Sequence, residues 1–221
     1  MSLRPAATVI VLRDGPEAPE VLMVKRSRRS AFMPDAYVFP GGRVDPEDAG
    51  IEVPGGEADR VRMGLGEAGT AYQVAAAREC FEEARVRLVP GELVYWAHWI
   101  TPRERPLRYD TRFFVAKVPP DQVAVHDGHE TVDSAWWTVG EIFRRFEDGR
   151  IQLPPPTWRT LFELRDFRDV DAVLASGRKR PTPPIEPRAE VIDGRITVIL
   201  PEGVPEPRKH VFDGQRWFVH S

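Results

Sequence analysis

Arg78-Glu79-Cys80-Phe81-Glu82-Glu83, with Phe39-Pro40-Gly41-Gly42 upstream, decides how the rest of the chain is read. The hexapeptide sets the carboxylates of Glu79, Glu82 and Glu83 at i, i+3 and i+4, positions that share one helix face. Like charges that close repel, so a helix gains nothing by gathering them without a counter-ion. A divalent cation supplies one. Hard oxygen ligands suit Mg²⁺ or Mn²⁺, and Mg²⁺ commonly keeps waters and bridges carboxylates to substrate phosphates. The alternative is a solvated acidic face with Arg78 as a local ion-pair partner. The hexapeptide alone does not choose between them.

The surroundings add context. Val21 to Val24 and Ala36 to Phe39 read as strands, and the second runs into Pro-Gly-Gly, where glycines allow a tight turn and let the backbone come close to a ligand. A strand, a glycine turn and a helix bearing Arg-Glu-x-x-Glu-Glu resembles the Nudix hydrolase superfamily, whose signature is G-x5-E-x7-R-E-U-x-E-E-x-G-U with U a bulky aliphatic residue. Gly42 fits the opening glycine. Arg78, Glu79, Glu82 and Glu83 fit the R-E and E-E positions, and Cys80 and Val86 fall at the U positions. The chain departs from the pattern in three places. Asp48 stands for the first glutamate, Arg85 for the late glycine, and the long stretch Ala49 to Ala77 for the short spacer. Loop closure costs little more as a loop lengthens. The glycines and proline of the spacer read as an excursion rather than a core element.

An interrupted signature resembles the branch that includes the mammalian peroxisomal coenzyme A diphosphatase. Trp99-Ile100-Thr101-Pro102, Arg108 to Phe114, Glu130 to Trp137 and Leu153 to Thr157 continue that likeness, which extends to about Leu174. The loop Arg26 to Tyr37 lacks the histidine-containing centre of the bacterial coenzyme A diphosphatases.

Composition bounds the answer. With 221 residues and 42% hydrophobic content, the chain can bury one sizeable core. A net charge of −3, with both signs scattered, excludes the basic field that nucleic-acid binding needs. No apolar run reaches membrane-spanning length. Met1 to Pro5 is not a secretory core, Val219-His220-Ser221 is not a peroxisomal address, and the single cysteine fits a reducing cytosol, so a cytoplasmic location is expected. Cys80, on the apolar side of its helix, is expected to pack rather than react.

Strands are expected at Ala6–Leu12, Val21–Lys25, Tyr37–Phe39, Leu93–Ile100, Asp110–Val118 and Val132–Thr138, with a basic loop over Arg26–Asp35. Helices are expected at Thr70–Ala84, Gly140–Phe146 and Thr157–Ala175, the last after a Pro154–Pro156 break. The fold class is therefore α/β, and the resemblance implies an α/β/α sandwich around a mixed sheet. A Nudix domain is expected over 1–176, with its insertion at about 49–74. A proline-rich linker and a C-terminal β extension follow over 177–221, with strands at Glu190–Ile192, Arg195–Leu200 and Arg216–Val219 and a hairpin at Asp193-Gly194. The extension could add to the sheet, cap the cleft or form a homodimer contact.

The resemblance also implies chemistry: Mg²⁺-dependent (or Mn²⁺-dependent) hydrolysis of the diphosphate in a nucleoside diphosphate conjugate. Its metal ligands would be Glu79, Glu82, Glu83 and the Gly42 carbonyl, with Arg78 orienting the carboxylates. The general base is open between Glu83 and Glu130; His126 and His129 are read as loop histidines. Asp48 and Glu67 are rival partners for Arg78. Arg26, Arg103 and Arg112 are candidates for substrate phosphates, beside Arg105. Arg112 shares a face with Phe114 and could line the cleft or pair with Asp110. Trp96, Trp99, Trp136, Trp137 and Trp158 suit core packing first and base stacking second. Coenzyme A or an acyl-coenzyme A is the leading substrate. ADP-ribose, NADH, a dinucleoside polyphosphate, or a non-catalytic ligand-binding regulator are the alternatives.

Overall fold

Strands β1 (Arg4–Arg13) and β2 (Glu20–Arg26) carry unbroken apolar runs, Val9 to Leu12 and Val21 to Val24, in which no residue is more than 1% exposed. Such runs mark strands covered on both faces. Ile10, Leu12, Val21 and Met23 point into one core, and Val9, Val11, Leu22 and Val24 into a second. The computed structural model describes residues 3–28 and 33–220. The middle of the expected basic loop and the extreme ends of the chain lie outside the described residues.

Six further strands complete this sheet: β3 (Tyr37–Val38), β4 (Gly41–Arg43), β5 (Val94–Ile100), β6 (Tyr109–Lys117), β7 (Thr131–Thr138) and β8 (Pro184–Ile185). Their order is β3-β2-β1-β6-β5-β8, with β4 also pairing β1 and β7 also pairing β2. The β1–β6 and β5–β8 pairs are parallel and the others antiparallel, so the sheet is mixed. A bulge in β5 turns Trp96 and Ala97 toward the same core, while Tyr95 faces the other.

Helices α1 (Glu57–Arg62) and α2 (Thr70–Ala84) lie on one face, and α3 (Val139–Glu147), α4 (Pro155–Leu164) and α5 (Val170–Gly177) on the other. This is the expected α/β/α sandwich. On α2, Ala75, Ala76, Cys80 and Ala84 bury into the Val9 core. Cys80 is fully buried, and burial pushes its thiol up to about 12. The helix stops at Arg85, whose φ of 58° is left-handed, which is why this position suits the glycine of the signature.

A second, antiparallel sheet follows: β9 (Arg188–Ile192), β10 (Arg195–Ile199), β11 (Lys209–Phe212) and β12 (Trp217–His220), in the order β12-β11-β10-β9. Asp193 and Gly194 both take positive φ, as a tight hairpin requires. Leu200 packs in the main core. No helix among the described residues is long and apolar enough to cross a membrane.

Several local expectations change. The helix expected over Thr157–Ala175 is two, because Asp169 caps a new start by accepting from the Ala172 N–H at 2.7 Å. Pro155 opens α4 instead of preceding it, since a proline at the first helical position gives up no intrahelical bond. β8, inside the expected linker, pairs with β5, and β11 was not anticipated. The insertion is not a mere excursion. Met63 joins the α2 core, and the buried Arg60 donates to the Gly55 carbonyl at 2.7 Å and to Gln73 at 3.1 Å.

Candidate active site

The site begins where α2 meets β4. Gly41 and Gly42 were expected to turn the chain and to let the backbone come close to a ligand. Instead they lie in β4, opposite Thr8 and Ala7 of β1, and neither takes a left-handed φ. They are required by close approach. A Cβ at Gly42 would lie 2.4 Å from a Glu79 carboxylate oxygen, and one at Gly41 would lie 2.5 Å from the Ala7 carbonyl. The Gly41 N–H donates to Glu83 at 3.0 Å. Two carboxylates of α2 are therefore seated against the glycine pair.

Arg78 ties this corner together. Its guanidinium donates to both oxygens of Asp48 at 2.9 Å, to Glu79 at 2.9 Å, to Glu82 at 3.1 Å and to the Arg43 carbonyl at 2.9 Å. Asp48 is 2% exposed and also accepts from the Asp45 N–H at 2.8 Å. The shorter acid at the first signature-glutamate position thus both closes a turn and pairs with Arg78. Glu67, its rival, sits exposed in a separate turn before α2. The Asp48 hydrogen bonds are the main reason the Arg78 pKa is raised.

Burial pushes Glu79 up to about 7, although the Arg78 charge opposes the shift. Burial pushes Glu83 up to about 8, against the Gly41 N–H and the Arg26 charge. The charge of Glu130 raises both, so Glu130 lies within electrostatic reach of the pair. Glu82 is more open, with its side chain 53% exposed. The donor set is all oxygen and rich in carboxylate, which fits a hard dication. Arg78 now bridges Glu79 and Glu82, and among the described residues no three acidic, histidine or cysteine side chains already converge as a cage. An ion would compete with the Arg78 contacts.

A cleft of about 580 Å³ opens beside this corner. Its polar lining includes Arg26, Gly42, Arg78, Glu79, Glu82 and Glu130. The Arg26 Nε is buried without a hydrogen-bond partner. Glu130 is held at the rim by its loop. Asp127 accepts from the N–H groups of His129, Glu130 and Thr131, and the Thr131 hydroxyl donates to the Glu83 carbonyl at 2.8 Å. His126 and His129 are exposed and do not line the cleft.

Two of the expected phosphate-binding arginines lie elsewhere. Arg103 is an exposed partner of Glu186, at 2.9 Å, outside the cleft lining. Arg112 is buried under α2, with Asp110 as its ion pair and the Tyr72 ring 5.5 Å away. Its face is indeed that of Phe114, but that face belongs to the α2 core, whereas Phe113 on the opposite face lines the cleft. Arg105 does line it.

Of the expected tryptophans only Trp99 reaches the cleft. Of the three options left open for the C-terminal extension, the structure shows it against the cleft, where Ile196, Val198, Phe212 and Trp217 form a wall; sequence reasoning named none of these as cleft residues and missed the strand that carries Phe212. The alternation of β10 carried a signal for an apolar face, but nothing in it said what that face meets.

Comparison with known proteins follows the same lines. The NUDIX domain profile matches residues 2–156. The chain belongs to the NUDIX domain family. Among curated proteins it is similar to the acyl-coenzyme A diphosphatase of Xenopus laevis, 24% identical over 232 residues, covering 69% of this chain and 61% of that protein. The chain thus spans about six-tenths of that relative. It is also similar to a putative nudix hydrolase 7 of Caenorhabditis elegans, 26% identical over 236 residues, covering 90% of this chain and 73% of that one. The fold matches a NUDIX hydrolase from Alicyclobacillus acidocaldarius with a TM-score of 0.66 at 22% identity, covering 79% of this chain and 96% of that one. The matched region of this NUDIX chain contains the glycine strand and the acidic helix, with residues 49–77 lying between Asp48 and Arg78.

Proposed function

We propose that this NUDIX protein is a metal-dependent hydrolase that cleaves the diphosphate of a nucleoside diphosphate conjugate, with coenzyme A or an acyl-coenzyme A as the substrate. One observation carries the reading. Glu79 and Glu83 are buried carboxylates set against Gly41 and Gly42, beside a cleft that also holds Arg26. Burying two carboxylates beside one shared guanidinium is costly, and a corner that bears this cost is suited to a dication and a polyphosphate. The names of the curated relatives favour coenzyme A over the other conjugates.

Glu79, Glu82, Glu83 and the Gly42 carbonyl would hold Mg²⁺ or Mn²⁺. The ion would neutralise the diphosphate and lower the pKa of a bound water. Arg78 keeps the carboxylates oriented through Asp48. Arg26 and Arg105 face the cleft and would hold the phosphates, a role for which Arg103 and Arg112 are poorly situated. Glu130, at the rim and close enough to raise both acids, would take the proton of the attacking water. Glu83, fixed by the Gly41 N–H, is better suited to ligation than to that proton transfer.

The test is a panel of coenzyme A, acyl-coenzyme A, ADP-ribose, NADH and dinucleoside polyphosphates, assayed by mass spectrometry in ¹⁸O-labelled water with Mg²⁺ or EDTA. The expected result is Mg²⁺-dependent cleavage of coenzyme A or its thioester, with one labelled phosphate product. No turnover of any conjugate would refute the hydrolase reading, and turnover of ADP-ribose alone would refute the substrate.

A further inference from the structure

The C-terminal sheet has one face for the cleft and one for solvent. Its register makes this explicit. Ile196 sits opposite Phe212, Phe212 opposite Trp217, and Val198 opposite Ala189. All five line the cleft. The alternate positions, among them Arg188, Glu190, Arg195, Lys209 and His220, fall on the other face. Of these five cleft-lining side chains only Trp217 carries a polar atom; His210, opposite Val198 on the same face, packs against Trp158 and does not line the cleft. Ile196 and Phe212 are partly exposed in the cleft rather than closed into a core.

The wall is fixed to the body. The Trp217 N–H donates to Gln152 at 2.8 Å, Arg159 donates to the Pro205 carbonyl at 2.8 Å, and the Ala189 N–H donates to Glu104 at 3.1 Å. The His210 ring packs edge-on against Trp158 at 5.3 Å. Across the cleft the floor adds Trp99 and Phe113. One continuous cleft therefore joins a charged corner to an apolar wall, and a ligand that fills both must be amphipathic.

We propose that the inward face of the C-terminal sheet binds the apolar part of a chain-like group attached to the diphosphate on the side away from the nucleoside; in an acyl-coenzyme A that part is the acyl chain, not the amide-bearing arm before it. A nucleobase is the poorer occupant. Its edge donors and acceptors would be stripped of water against Ile196, Val198 and Phe212, none of which can replace the lost hydrogen bonds. A hydrocarbon segment loses nothing there and gains with each methylene buried. The proposal rests on the hydrolase reading for the position of the diphosphate, and it makes the C-terminal sheet the part of the chain that selects the leaving group.

The experiment measures binding and cleavage separately. Calorimetry with Mg²⁺ follows the affinity of the full chain for adenosine methylenediphosphonate esters of ethanol, hexanol and decanol, which resist hydrolysis. The expected gain is roughly two- to fourfold per added methylene until the cleft is filled. Ile196→Ser and Phe212→Ser flatten that gain while leaving the ethyl ester within about twofold, by the same burial argument. Ile192→Ser, on the outer face, changes nothing. Ile196→Phe, which keeps the wall apolar but narrows the cleft, shortens the chain length at which the gain stops. Equal affinity for the three esters, or an unchanged gain in both serine variants, would overturn the proposal. The phosphate-bridged esters are then assayed for cleavage. A chain-length gain without cleavage removes the hydrolase reading and keeps the wall; cleavage without a gain does the reverse.

Discussion

The two walls of the cleft are built on opposite principles. The wall from α2 and β4 packs ionisable groups against main chain, with Glu79 and Glu83 buried and Arg78 shared among Asp48, Glu79 and Glu82. The wall from β9 to β12 presents neighbouring apolar side chains, Ile196, Phe212 and Trp217, on a pleated face. Groups in the first act through one another, so removing one strands the rest. Groups in the second act in proportion to the area they cover, coupled only to the neighbours they touch. Mutations should therefore be large and strongly coupled on the first wall, and smaller on the second, with coupling confined to touching pairs such as Phe212 and Trp217.

The strongest way to break this contrast is Glu83→Gln. It keeps the shape and removes a charge, and steady-state kinetics should show kcat lower by about a thousandfold, the several kcal/mol a metal supplies to a developing charge. Next is Arg78→Ala. It leaves the buried Asp48 unpaired, and denaturant unfolding should show a loss of about 3 kcal/mol. Gly42→Ala follows. Its new methyl must displace Glu79, and kcat/KM should fall by about a hundredfold in the manner of misplaced catalytic groups. Wild-type activity in that variant would remove close approach as the reason for the glycine.

The pH dependence of stability is subtler. Glu79 and Glu83 have folded-state values raised from 4.5 to about 7 and about 8. Between the unfolded and folded values the native state binds more protons than the unfolded one, so stability falls as pH rises. The contribution is fully present below about pH 4.5 and is lost as pH rises through 7 to 8. Thermal melts in EDTA should drop across that window, and the slope should flatten in Glu83→Gln. The smallest effect lies just past the end of the same helix and outside the network. Arg85→Gly relieves a left-handed φ of 58° and should raise stability by about 1 kcal/mol, read by thermal melting.

How much of this was legible in the sequence differs between the same two walls. The helix Thr70–Ala84 could be read because three alanines favour it and the acids repeat at helical spacing. The need for glycine at 41 and 42 was also legible, but the choice between a turn and a close approach, and the groups approached, Glu79 and Ala7, were not. Sequence does not distinguish a glycine chosen for its φ from one chosen for want of a Cβ. Arg112 shows a related limit. Alternation placed it on the Phe114 face, yet which face meets the cleft is set by α2 packing across the sheet. The C-terminal wall was the least legible part. Ile196 and Trp217 pair with Phe212, 16 and 5 residues away, whereas the seating of their sheet depends on the Trp217–Gln152 and His210–Trp158 contacts, which only the tertiary fold brings near.

The central claim is that Glu79 and Glu83 form, with the glycine strand, a site for a divalent cation. Calorimetric titration of the metal-free chain with Mn²⁺ at pH 8 and at pH 5, in wild type and in Glu83→Gln, tests it most directly. The account predicts saturable binding in the wild type at pH 8, much weaker binding at pH 5 where protons hold the carboxylates, and loss of binding in Glu83→Gln at both. Equal binding by wild type and Glu83→Gln at pH 8, or no binding by either, would contradict it.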